Sequence, residues 1–355
     1  MIRVIPRRST DLSYLTNDPA YEIADCRTGP AQWWWRDATA DRDPSKVLSP
    51  TARSHTVGWD IIVAAPRPAS CLLAFGDHRD HVGVVRAHHA AVIATLTYLD
   101  EHALGVRRTV LGETDFLPAH FDNVVSFTHG MNRQGEPHLH DHVIVPSHSA
   151  AYRRSFDAHV FRQHVAAADA VYRASLRAGI EEHTGRRSWR SFSDRDYVEG
   201  VDEGVRALWS GHAPERGVKK LWGQDEARRH WASDLERYEP GPLITPPHHD
   251  LALVHEHTFR SVLDGTERVR YADVIEAAAH ASVFGASMQD ITSFVDRHYA
   301  HHFDPRDPSR WITLREARDI AVVERQGPRR VRDVPQRDRS VPSRERESVS
   351  RDRSL

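Results

Sequence analysis

Apolar and polar positions along the chain repeat with two periods, and the places where the period changes mark the elements. Residues 56–65, TVGWDIIVAA, form a short apolar run rich in β-branched side chains and closed by Pro66 and Pro68, as in a buried strand. Between Asp77 and Ala103 apolar residues recur at helical spacing, among them Val82, Val85, Val92, Leu96 and Leu99, which predicts a long helix. Two further strands are expected over 121–128 (FDNVVSFT) and 139–145 (LHDHVIV). The intervening HGMNRQGEPH, with two glycines and a proline, reads as their hairpin loop. A second long helix is predicted from Asp157 to Thr184, stopped by Gly185.

After a basic and aromatic stretch, GRRSWRSFSDRDY, a helical region runs to about Tyr238, and the Pro-rich segment from Pro240 to Asp250 is the best linker. Helices are expected around 251–264, 271–283, 288–299 and 313–325. The charged residues 326–355, poor in apolar side chains, predict a disordered tail. The first ~50 residues read as irregular, with Tyr14, Tyr21 and the run Trp33-Trp34-Trp35.

Composition refines this picture. At 355 residues, with 28% charged and 39% hydrophobic side chains, the chain has the make-up of a globular protein with a real core. No apolar run approaches the ~18 residues of a membrane span and no signal-peptide core opens the chain, so a cytoplasmic location is expected. Cys26 and Cys71 are too few for a disulfide framework or a zinc ribbon. A net charge of −2 gives no global attraction to nucleic acid. Lys46, Lys219 and Lys220 are the only lysines; arginine, which suits bidentate phosphate contact, supplies the rest, although a biased gene composition produces the same preference. No GxxxxGK[ST] phosphate loop is present.

Among 25 histidines, one group stands apart: His129, then His138-Leu139-His140-Asp141-His142 leading into Val143-Ile144-Val145. Alternate residues of a strand share a face, so His138, His140 and His142 point the same way, and the hairpin brings His129 toward them. Imidazoles converging on one face suit a divalent transition metal. The plainer reading is a solvated, histidine-rich strand face, against which the apolar Val-Ile-Val continuation argues. Four histidines compete for about three positions, and spacing alone favours His138, His140 and His142.

This stretch resembles the three-histidine motif of the MobF-family relaxases (the TrwC and TraI type) within the HUH endonuclease superfamily. That motif runs from a histidine through a short polar segment containing arginine, here Arg133, to a D-P-Q-L-H-T-H strand. Matched residue by residue, the resemblance implies His129, His140 and His142 as ligands. His138 stands where the family has glutamine and becomes an auxiliary group near the metal. Asp141 replaces a threonine and is expected on the opposite face. GWDIIVAAPRPASCLLAFGD is similar to another family segment through Asp60, Pro66 and Ser70, with Arg67 in place of lysine and Pro68 in place of serine. The segments FDAHVFRQHVAAADAVYRASLRAGI and GRRSWRSF…EGVDEGVRALWSGH are similar to those that follow.

The resemblance covers roughly residues 1–240. It implies an α+β fold, a central antiparallel sheet flanked by helices, as a relaxase domain over 1–240. A small helical accessory module over 241–325 and the tail 326–355 complete the expected organisation. The family uses an N-terminal tyrosine to attack a DNA phosphate, leaving a 5′-phosphotyrosyl link and a 3′-hydroxyl. Tyr14 matches the first catalytic tyrosine and Tyr21 the second cluster; both are single here where the family has doublets, which weakens a two-tyrosine scheme. Asp60 matches an aspartate that orients a ligand histidine and assists deprotonation, a role with a sound physical basis; its simpler alternative is a salt bridge to arginine.

One divalent ion is the implied cofactor, Mg, Mn, Zn, Ni or Co, and His-only ligation suits magnesium least. Single-stranded DNA at a transfer origin is the implied partner, contacted through Arg133, Arg153, Arg154, Arg186, Arg187, Trp189 and Arg190, with a separate helicase or coupling protein beside it. The expected activity is metal-dependent, strand-specific nicking in plasmid mobilisation. Two rivals stand: a DNA-binding remnant that holds metal but forms no covalent adduct, and an unrelated three-histidine metalloenzyme with an enclosed small-molecule pocket.

Overall fold

A computed structural model of the chain describes residues 1–16, 32–35, 43–48, 55–191, 193–208, 222–236, 238, 240–242, 244–246, 268–299 and 311–313. Tyr21, the helices expected over 251–264 and 313–325 (beyond Thr313) and the tail 326–355 lie outside the described residues. Residues Met1–Leu314 belong to one compact unit.

Its centre is a five-stranded antiparallel sheet in the order β1 (Ile2–Arg7), β3 (Gly58–Ala64), β7 (Pro137–Pro146), β6 (Val124–Met131) and β2 (Gln32–Trp35). Strands β3, β6 and β7 fall where the apolar runs predict them. The two edge strands do not, because the first 50 residues read as irregular. Strand β1 is short, half-exposed and carries Pro6, which an edge tolerates and a central strand would not. Strand β2 is part of the tryptophan run: Trp35 is buried and Trp33 lies over the sheet, so these rings pack on the core.

The hairpin loop also differs. Strand β6 runs on through His129 to Met131, with a register shift between those two residues, and β7 starts at Pro137. Asn132 closes the shortened turn: its side-chain oxygen accepts from the backbone N–H groups of Gln134 and Glu136 at 2.9 and 3.0 Å. Gly135, at φ +82°, takes the left-handed position within it. His129 is thereby a strand residue directly opposite His140.

The helices α1 (Ser13–Thr16), α2 (Arg67–Phe75) and α3 (His78–His102) come next in sequence. Asp77 opens α3 with a reciprocal capping box to Asp80. A separate ribbon follows, β4 (Gly105–Val110) with β5 (Glu113–Pro118), turning through Leu111 and Gly112 at φ +52° and +91°, the mirror-image turn that suits strand twist. The expected helix 157–184 is two: α4 (Ala158–Gln163) and α5 (Val165–Thr184), joined at the buried His164, whose Nδ1 meets the Tyr98 hydroxyl at 2.9 Å. Gly185 ends α5 in the left-handed conformation as predicted.

The basic stretch after it is a hairpin, β10 (Ser188–Arg190) with β11 (Asp196–Val198), preceded by the short β8 (His148–Ser149) and β9 (Arg154–Ser155). Helices α6 (Glu203–Leu208), α7 (Gln224–Leu235), α8 (Tyr271–Ala281) and α9 (Met288–Tyr299) follow, with β12 (Arg268–Arg270) pairing β13 (Trp311–Thr313).

Helix α3 is apolar and long enough to cross a membrane by length and composition, yet 61% of that window is buried inside the fold. It is the core helix, packed along α5. Val84, Val85, Ala87, Ala91 and Leu96 of this helix are fully buried, and each large side chain contributes about 1.5–3 kcal/mol. The approach is close because Gly179 faces Ala87: a Cβ at Gly179 would lie 3.0 Å from that of Ala87. Gly179→Val is therefore expected to destabilise the fold by about 1–3 kcal/mol through overpacking. Urea unfolding measures this, and an unchanged midpoint would show that the helices can separate freely.

Candidate active site and metal centre

The register of the sheet decides which side chains meet. His140 pairs with His129 across β6–β7, and His142 pairs with Ile62 across β3–β7, two residues from Asp60. Residues directly opposite share a face, so His129, His140, His142 and Asp60 all project from one side. Their ring centres form a triangle: His129–His140 5.2 Å, His129–His142 5.3 Å and His140–His142 5.3 Å. His138 lies further along the same face, its ring 4.7 Å from that of His140.

Two of the three rings are aimed by a hydrogen bond at Nδ1. His142 Nδ1 sits 3.0 Å from both oxygens of Asp60, and His140 Nδ1 is 2.8 Å from the His138 carbonyl. With Nδ1 carrying the proton, Nε2 keeps its lone pair for a cation, the arrangement that typically fixes metal-bound histidines. Burial holds His140 well below the ordinary histidine pKa, helped by the neighbouring His138 and His129, so the ring is neutral and can donate its lone pair. With metal–nitrogen bonds of about 2.1 Å, three imidazoles aimed at one ion hold their ring centres roughly 5 Å apart. The donor set therefore fits a divalent ion in identity and spacing. The rings are neighbours rather than a closed cage: among the described residues no group of three or more His, Cys, Asp or Glu side chains is drawn around one point. Holding an ion takes small ring rotations.

Tyr14 comes from above this face. Leu12 and Leu15, on the turn and helix around it, bury themselves with Val125, Phe127 and Ile144 of the sheet, which carries Tyr14 over His142. Its hydroxyl donates to Asp60 Oδ2 at 2.7 Å, and its ring stands edge-on to His142 with centres 6.1 Å apart. Arg7 of β1 donates to the same hydroxyl at 2.6 Å and lies 3.9 Å from Asp60. Burial first, and then Asp60, raise the phenol well above its ordinary pKa, while Arg7 opposes them. The carboxylate that might have been either an arginine partner or a histidine orienter is both at once.

Asp141 does point the other way. Fully buried between the sheet and the helices, it accepts from Ser126 at 2.6 Å and Trp33 at 3.1 Å and meets His88 Nε2 at 2.9 Å. Burial by itself would raise this carboxyl, but His88, His89 and the Ser126 hydroxyl together hold it below its ordinary value. His88 Nδ1 continues the chain to the Tyr172 hydroxyl at 2.7 Å.

The DNA-contact candidates separate by environment. Arg133 is exposed on the hairpin loop, and Arg153 and Arg154 are exposed beside Tyr152, itself 42% exposed. Arg186 is bound to Asp80 through two hydrogen bonds, Arg187 reaches Glu199 at 3.6 Å and Arg190 reaches Asp194 at 2.8 Å. Trp189 is 2% exposed and stacked on Tyr197, which commits its ring to the interior of the protein rather than to a base.

Sequence reasoning overlooked Arg7 and His88, and it noted Trp33 only as part of the tryptophan run, not as a partner of Asp141. Arg7 ends a six-residue edge strand on the same face as Ile5, and that two-residue repeat was the available signal. His88 and Trp33 meet Asp141 only through tertiary packing, and nothing local marks them.

Sheet order, site face and flanking helices define an α+β domain with histidines, a carboxylate and a tyrosine gathered on one sheet face. The same fold appears in a conjugative relaxase TrwC bound to oriT DNA in a copper-bound form, at a TM-score of 0.53 and 16% identity, covering 67% of this chain and 98% of that one. A TrwC complex with a 27-mer DNA comprising the recognition hairpin and the cleavage site matches at 0.52 and 17%, with the same coverage. A metal-free TrwC–oriT complex matches at 0.52 and 16%. The model of the TrwC relaxase family matches residues 14–227, more than half of the chain, and the chain belongs to that family: it is a DNA relaxase. No curated protein matches it.

The histidine face makes stability depend on pH. Burial, and secondarily Arg67, lower His138 from 6.5 to about 4, and burial with its histidine neighbours holds His140 well below 6.5. Both rings are neutral in the folded chain, and on unfolding they regain an ordinary affinity for protons. Their contribution is complete above 6.5 and is lost as pH falls from there, for His138 through about 4. Thermal unfolding of metal-free protein between these limits should show a falling midpoint, and His138→Gln should fall less steeply. Parallel curves for the two would refute this account.

Proposed function

We propose that this relaxase cuts one phosphate of a single-stranded transfer origin by transesterification onto Tyr14, assisted by a divalent ion held by His129, His140 and His142. The observation that carries the reading is the shared carboxylate: Asp60 accepts the Tyr14 hydroxyl with one oxygen and positions His142 through Nδ1. Nucleophile and ligand are thus set by one group, within reach of a phosphate lying between them. A bound cation supplies electrostatic stabilisation of the non-bridging phosphate oxygens.

The chain's own residues do the rest. A partly desolvated phenol with a raised pKa does not ionise in advance, so its proton passes to Asp60 as the oxygen attacks. The new Tyr14–phosphorus bond replaces the bond to the 3′-oxygen, which leaves as the 3′-hydroxyl after taking up a proton from solvent. Reversal returns the proton from Asp60 to Tyr14, so the same residues serve nicking and rejoining. His138 stands beside the histidine trio as an auxiliary contact for phosphate. Arg133, Arg153 and Arg154 are the exposed cations that best suit the incoming strand, and exposed Tyr152 offers a face for a base. The TrwC complexes with oriT DNA support this choice of substrate. A helicase or coupling protein on another chain is the proposed partner, and the cytoplasm the proposed location.

An SDS-resistant adduct assay tests this with Mn²⁺ and single-stranded DNA spanning the region beside the gene. The wild-type chain should form a chelator-sensitive adduct that Tyr14→Phe abolishes. Persistence in Tyr14→Phe moves the nucleophile to Tyr21. Absence of any adduct, with metal and DNA still bound, identifies a DNA-binding remnant instead. Asp60→Asn should slow nicking by about 10²–10⁴-fold while DNA affinity holds, as loss of a general base does. A variant as fast as wild type would remove Asp60 from the proton path.

A further inference from the structure

The least expected contact at the site is the one between Arg7 and the Tyr14 hydroxyl. Arg7 ends β1 opposite Gly58, two residues from the Ile5–Asp60 pair, so its side chain rises on the same face as Asp60. Its guanidinium is anchored on two sides: Nη2 donates to the Asp11 carbonyl at 2.6 Å and Nε to the Ser9 carbonyl at 3.4 Å. The remaining edge aims Nη1 at the Tyr14 oxygen at 2.6 Å, with the guanidinium carbon 5.0 Å from the ring centre. Because the Tyr14 hydroxyl already donates its proton to Asp60, the Arg7 N–H must fall on an oxygen lone pair. The phenol oxygen is bracketed between a fixed donor cation and an acceptor carboxylate.

We propose that Arg7 is a catalytic residue of this relaxase, whose guanidinium stabilises the negative charge that grows on the Tyr14 oxygen when it attacks phosphorus or leaves it. The inference rests on the reading of Tyr14 as nucleophile. A neutral phenol gains little from a nearby cation, and an oxygen carrying phenolate charge gains much, so the contact strengthens toward the transition state in either direction. Arg7 keeps all its protons; the one that moves passes between Tyr14 and Asp60. Its anchors matter because a donor held in place needs no reorganisation as the charge develops. Lysine retains the charge but cannot hold two loop carbonyls and the phenol oxygen with one fork. The competing account makes Arg7 a staple for the segment 8–12 and nothing more.

Single-turnover nicking at saturating DNA, alongside DNA affinity from fluorescence anisotropy, separates the two. Arg7→Ala should lower the rate by about 10²–10³-fold, as loss of one oxyanion donor does, with affinity nearly unchanged. Added low-millimolar guanidinium ion should restore much of that rate in Arg7→Ala and none in Tyr14→Phe. A rate within a few-fold of wild type overturns the proposal, and so does a loss that guanidinium leaves untouched, which assigns Arg7 to the staple. If Arg7→Ala does not fold, Arg7→Lys decides: slowed nicking with intact binding supports the proposal, and wild-type speed ends it. An adduct in Tyr14→Phe would fail the nucleophile reading itself, a result distinct from any of these.

Discussion

The antiparallel register of β7 between β3 and β6 is the constraint on which the site depends. It sets His129 against His140 and places Asp60 one diagonal step from His142. Because strand side chains alternate with a period of two, a slip of one residue would carry His140 and His142 to the helix side and bring Asp141 to the site. Both faces are specified, and each penalises the slip. On the helix side, Leu139 and Val143 would leave the core; on the site side, Ile144 would leave the cluster with Leu12 and Leu15.

Asp141 strengthens that constraint. A carboxylate in a fully buried position is costly unless paired. Here it has Ser126, Trp33 and His88 as partners, from β6, β2 and α3 respectively. Those partners exist only when β7 faces the right way, so the residue between two site histidines pins their orientation. Tyr172 extends the chain into α5, tying the sheet to the helix pair that forms the core. Ser70 of α2 adds a tie from the other end of the strand, accepting the Leu139 N–H at 3.0 Å.

The proposed nucleophile is delivered differently. Helix α1 has four residues and no stability of its own; Leu12 and Leu15 hold it by burial on the sheet face, and Arg7 and Asp60 fix Tyr14 between them. Rigid strands carry the histidines, and a short segment closed over them carries Tyr14. The division suits the proposed reaction, in which a DNA strand would enter between the two.

The sequence alone determined the strands β3, β6 and β7, the long helices and the shared face of His138, His140 and His142, since each depends on periodicity within a single segment. The ligand choice of His129 over His138, and the candidacy of Tyr14 and Asp60, came from motif resemblance rather than pattern. Edge strands β1 and β2 escaped notice because an edge needs only one partner and shows half an apolar pattern at most. The break of the 157–184 helix at His164 escaped because the buried contact His164 makes there, with Tyr98, comes from a distant helix. The tertiary structure alone decided that Trp189 faces inward, that His88 backs Asp141 and that Arg7 meets Tyr14. Local pattern records which way a side chain points; which partner waits there is settled by register and packing between segments far apart in the chain.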